Sequence, residues 1–168
     1  MNIYVWILLF LIIFMLHNLE EIITIESWFQ KTYPRISKKV PSFVQKELNN
    51  YKNITSVQFA VVIFVFSVFI SVLILISIIT QHDYLFLGVI LFFALNMFTH
   101  PLQSLYLKCY TPGVLTSLFL IIPYYSLFFY RFYNTDMFTI NSVLGAMVVI
   151  ILLIPAFLLS HKIGEKWR

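Results

Sequence analysis

The stretch IYVWILLFLIIFMLHNLEEIITI, residues 3–25, decides the fold. Its first half carries no charge and no helix breaker. Wound as an α-helix it is about 34 Å long, enough to cross a hydrocarbon core of about 30 Å. The composition says whether such a run is a span or the core of a soluble domain. The chain has 168 residues, 61% hydrophobic, 18% aromatic and only 11% charged, with a mean hydropathy of +0.91. A soluble domain carries roughly 25% charge, so this chain cannot cover a water-facing surface. Disorder is excluded by the same apolar content. In lipid, every backbone polar group must be satisfied within the chain, which leads to helical spans.

Four more apolar segments follow. The expected spans are 3–25, 57–80, 84–106, 114–130 and 138–160, joined into one transmembrane domain over 1–168, with a basic loop over 26–56. The fold class is thus an all-α integral membrane bundle of about five helices. The first segment lacks a basic leader and a small-residue cleavage site, so it is expected to remain as a helix. The charges orient it. The 26–56 loop holds Lys31, Arg35, Lys38, Lys39, Lys46 and Lys52. The turn before the fourth span holds Lys108, and the tail holds Lys162, Lys166 and Arg168. The opposite side, with the 81–83 turn and the 131–137 loop, holds only Arg131. The positive-inside rule then predicts N-out/C-in, in a plasma membrane, with bacterial origin favoured by the Ile, Phe and Lys usage. The net charge of +4 therefore marks topology. It does not mark nucleic-acid binding, and anionic lipid headgroups are the expected neighbours of the basic loop. Within that loop Pro41 and Ser42 can start a helix with Val44, Leu48 and Tyr51 on one face, lying on the inner membrane surface; a loosely ordered basic loop is the alternative.

Polar side chains inside the spans are costly. His17, Glu20 and Glu21 share one helix face at i, i+3 and i+4. A charge at the centre of a bilayer costs about 2.5–3.5 kcal/mol even on the lenient scale. Such groups persist when they pair, bind a cation or line a wet cavity; snorkelling is the alternative, and glutamate is short for it. In the third span Asn96, His100 and Gln103 form a narrow stripe at 100° per residue, for which helix–helix hydrogen bonding is the alternative. Pro101 removes one backbone bond beside it. His17 lies about 21 Å from Ile3 along its helix, and His100 about 24 Å from Tyr84. Both helices enter from the same side, so the two histidines are expected at one depth, sharing a cavity that opens toward the cytoplasm. Tyr110, Pro112 and Gly113 form the turn below it, where Gly113 lets a backbone approach closely, and Thr116 follows one turn later. His161 is expected as an interfacial tail residue, Cys109 as a small filler, and Trp6, Trp28 and Trp167 as packing or interface anchors. His82 and Asp83 fall on the far side.

The run His17-Asn18-Leu19-Glu20-Glu21 matches the H-x-x-E-E signature of the HXXEE-domain proteins. A second histidine and a Y-x-P-G motif have counterparts in His100 and Tyr110-Thr111-Pro112-Gly113, in the same order. The chain resembles that family over roughly residues 10–160. The resemblance implies a small, membrane-embedded, mostly bacterial protein and points to the same site. It implies no reaction, because the family's biochemical role is unassigned. Asn96, Gln103 and Thr116 come from spacing alone.

Three functions fit. In the first, the chain is a membrane enzyme: His17 and His100 with Glu20 or Glu21 would hold a divalent metal, zinc or iron, with an open position. Asn96, Gln103 and Tyr110 would orient substrate or ligands, and the other glutamate would act as a base. A metal-free version uses the two carboxylates as acid and base with a histidine as shuttle. The depth of the site suggests a lipid-like substrate. In the second, the protein is a proton- or cation-linked transporter or a small-molecule-binding protein, although no internal repeat is visible. In the third, it is a structural subunit whose polar residues hold helices together.

Overall fold

The computed structural model describes residues 3–133 and 135–167. Arg168, counted above among the basic tail residues, lies outside the described residues. Among them the chain is all-helical, with no strand. The elements are α1 (Ile3–Lys31), a four-residue α2 (Tyr33–Ile36), α3 (Ser42–Tyr51), α4 (Ser56–Thr80), α5 (Asp83–Leu107), α6 (Val114–Phe132) and α7 (Ile140–Lys166). Five of these, α1 and α4 to α7, are long and apolar enough to cross a membrane, the architecture of a multi-pass membrane protein. Their exposed side chains include Phe64, Ile79, Leu105 and Phe119, as a lipid-facing surface requires.

Helices α1 and α7 run past the apolar runs expected for them, to Lys31 and Lys166. A helix need not stop where hydrocarbon stops, since its backbone bonds are internal and its last turn can carry charge. Helix α4 starts at a capping box, in which the Thr55 hydroxyl accepts from the Gln58 N–H and the Gln58 side chain accepts from the Thr55 N–H. It ends at Gln81, and α5 ends at Lys108, each with positive φ.

The bundle has a filled half and an open half. In the filled half Phe10, Phe86, Tyr125 and Phe128 are fully buried. Phe10 meets Phe86 and Phe93 edge-on, with centroids 5.8 and 5.6 Å apart. Tyr124 and Tyr125 reach across it, donating to the carbonyls of Trp6 and Ile90. Helix α5 packs closely on α7 through Gly88, where a Cβ would come within 2.5 Å of Val149 Cβ and 2.9 Å of the Ala146 carbonyl. The open half lies where α1, α5 and α7 end and α4 and α6 begin. Helices α2 and α3 cover that end over a second apolar cluster of Trp28, Phe29, Tyr33, Ile36, Val40 and Leu107. Tyr33 donates to Asn49 of α3, and Tyr106 donates to the Lys39 carbonyl.

Candidate functional site

Helix α1 brings His17, Glu20 and Glu21 to the open end on one face, as the i, i+3, i+4 spacing requires. Yet the two carboxylates do different things. Glu20 turns toward the start of α6. Its Oε1 accepts from the Tyr110 hydroxyl at 2.7 Å and the Leu115 N–H at 3.2 Å. Its Oε2 accepts from the Thr116 N–H at 2.7 Å and the Thr116 hydroxyl at 2.6 Å. A carboxylate at a helix N-terminus meets unsatisfied N–H groups and the positive end of the helix dipole. Four donors use all four lone-pair sites, which only the ionised form offers.

That saturation sets the direction of the His17 hydrogen bond. The Thr116 hydroxyl has one proton, and the short bond to Glu20 takes it. The 2.8 Å contact of Thr116 Oγ1 with His17 Nδ1 is then one in which Nδ1–H donates. The neutral ring therefore keeps its lone pair on Nε2. His17 is fully buried, and among the described residues its Nε2 has no hydrogen-bond partner. It lies 3.8 Å from Glu21 Oε2. Glu21 Oε1 in turn lies 3.5 Å from His100 Nε2. The His17 and His100 rings meet edge-on with centroids 4.9 Å apart. Among the described residues His17, Glu21 and His100 each offer one ligand atom, all within 4.8 Å of one another.

The turn between α5 and α6 closes the cluster from behind. Gly113 has φ +81°, and a Cβ there would stand 2.8 Å from His17 Cε1 and 3.0 Å from His100 Cε1. Only glycine meets both demands. The turn is anchored by Trp28 Nε1–H donating to the Tyr110 carbonyl at 2.7 Å, by the Thr111 hydroxyl on the His100 carbonyl, and by the Ser104 hydroxyl on the Cys109 carbonyl. Immediately after Thr116, residues Ser117–Ile121 are wound as a π-helix, a distortion common beside functional sites.

Residues 8–129 match a family described as protein of unknown function with HXXEE motif. The chain belongs to the HXXEE family. It is also similar to the uncharacterised protein YrkK of Bacillus subtilis (strain 168), 28% identical over 156 residues that cover 90% of each chain. No solved structure matches it.

The HXXEE motif thus splits into a histidine and a glutamate that face each other and a glutamate that holds the next helix. The Y-x-P-G motif of this HXXEE protein is the turn that supplies Tyr110 to Glu20 and Gly113 to the rings. Burial pushes the Tyr110 phenol up to about 12, so it remains a donor. Burial also pushes the Cys109 thiol up, which suits a filler. Tyr110 itself contacts Glu20, away from the three-residue cluster.

Beside the cluster lies a cavity of about 840 Å³, at the upper end of the range for small-molecule sites. Glu21, His100, Asn96 and Gln103 all line it, so the stripe expected on α5 faces one space. Asn18 lines it too, its amide donating to the Phe14 carbonyl at 2.6 Å. Three features were missed in the sequence reading. Val44, Leu48 and Tyr51 of α3 line the cavity, whereas their face was expected to lie on lipid. His161, expected in the interfacial tail, forms part of the wall, packed on Phe157 and Tyr51 with centroids 4.6 and 5.5 Å away. Glu20 was counted among the candidate metal ligands, and the structure engages it with α6. The first feature was legible in part, since an amphipathic ten-residue helix must cover something apolar.

Proposed function

We propose that this HXXEE protein is an enzyme of a bacterial plasma membrane, N-out/C-in, with a cytoplasm-facing site in which His17, Glu21 and His100 hold a divalent metal. The observation that carries the reading is the buried, unpartnered Nε2 of His17. A buried imidazole nitrogen with no partner is costly, and here its lone pair is set by Thr116 and Glu20 to face a carboxylate and a second imidazole. Two histidines and one carboxylate with an open side suit zinc or iron. The chain Glu20–Thr116–His17 is the hydrogen-bonded support that metal-bound histidines have, so Glu20 is a positioning residue. A metal held there would act as a Lewis acid toward a group in the cavity. Asn96 and Gln103 line that space and are placed to orient the substrate. Tyr110 holds Glu20.

The filled half of the bundle favours a one-sided pocket over transport. Phe10, Phe86, Tyr125 and Phe128 fill its interior, whereas a conduction route needs polar groups along its length. The test is elemental analysis of purified protein. Wild type is expected to carry zinc or iron near one equivalent, and His17→Ala to lose it while remaining monodisperse. Metal-free wild type would overturn the metal reading and leave Glu21 and His100 as a proton-transfer pair.

A further inference from the structure

The cavity carries its polar groups part-way along its length. Its wall on α5 runs from Phe92 to Leu107, about 22 Å along the helix axis, with His100 near the middle. Toward the filled half it is bounded by aromatic side chains such as Phe66 and Phe93. Glu21, Asn96 and His100 come next. Beyond them, under α3, Trp28, Val44 and Leu48 make most of the lining apolar again, beside Gln103, Tyr51, Tyr106 and His161. A lipid whose polar group is a charged head would set that head against an underside of α3 built mostly of apolar side chains. Among the described lining residues none is Lys or Arg, so a phosphate would meet Glu21 without the guanidinium or ammonium that phosphate recognition uses.

We propose that the chamber binds one long-chain lipid whose uncharged polar group, an ester or a hydroxyl, rests at Glu21 and His100 with apolar arms on both sides. This deepens the function proposed above, because it takes that cluster as the reacting end of the site. The probe is a wax-type ester with a diazirine in its acyl arm, compared with phosphatidylglycerol carrying the same diazirine chain. Each is photolysed with the full-length protein in detergent, and the labelled residues are located by mass spectrometry.

The ester is expected to label the chamber wall on α3 and α4, and Ile63→Trp, which fills the space from α4, to reduce that labelling about tenfold. Phosphatidylglycerol is expected to label only the outer faces. Leu48→Trp fills the chamber from α3 and replaces Ile63→Trp if size exclusion shows that variant misfolded. Equal chamber labelling by both lipids would overturn the proposal, as would ester labelling that neither tryptophan reduces. Metal content is measured on the same samples. Ester labelling of metal-free protein would uphold the lipid and sink the metal; bound metal without chamber labelling would do the reverse.

Discussion

Thr116 carries a single hydroxyl proton between an acid and an imidazole, and its direction decides the state of both. Thr116→Val keeps the shape and removes the proton. His17 would then be free to place its own proton on either nitrogen, and metal affinity should fall about 10–100-fold, read by competitive titration against a chromophoric chelator with the melting temperature as control. Gly113→Ala should cost about 1–3 kcal/mol from the positive φ alone and abolish metal binding, because the new methyl displaces both rings; thermal melting and elemental analysis report the two effects. Tyr110 gives a pH test. Its pKa is raised from 10.0 to about 12 by burial. A raised pKa means that the folded state favours the protonated phenol. Its contribution is therefore full below about pH 10 and lost as pH rises toward 12. The melting-temperature difference between wild type and Tyr110→Phe should be constant up to pH 10 and shrink above it. A difference that shrinks below pH 9 would contradict this account of the turn. The different roles of Glu20 and Glu21 could not be read from their adjacency. Neighbours on a helix point about 100° apart, and which of them meets α6 depends on where the chain places Thr116, 96 residues later.

At the scale of elements, Gly88 decides how closely α5 can lie on α7. Gly88→Val should destabilise the bundle by about 1–3 kcal/mol, seen as a lower melting temperature in detergent, because the branched side chain would collide with Val149 and the Ala146 carbonyl. The spans were legible because long apolar runs without charge have few alternatives in lipid. The meeting of α1 and α5 was legible from depth, since two helices entering from one side place equal distances at equal levels. The roof was not. The ten residues of α3 show an apolar face, but lipid and an internal cavity are equally apolar. Only the packing of Tyr33 and Tyr106 around it tells which one the face covers.

For the whole molecule, the proposed N-out/C-in arrangement can be tested apart from the chemistry. In a Cys109→Ser background, Lys38→Cys and Gln81→Cys place single thiols at opposite ends of the bundle. A membrane-impermeant maleimide applied to intact cells should label Gln81→Cys and spare Lys38→Cys; the reverse pattern would turn the proposed site outward. The bond from Glu20 to α6 also bears on how the chain is made. The acid leaves the ribosome early, whereas Thr116 follows 96 residues later. Until then a carboxylate destined for the membrane has none of its four donors. During biogenesis the first helix should therefore linger at the translocon or against a chaperone, and nascent chains arrested before Thr116 should release it less readily than those carrying Glu20→Gln.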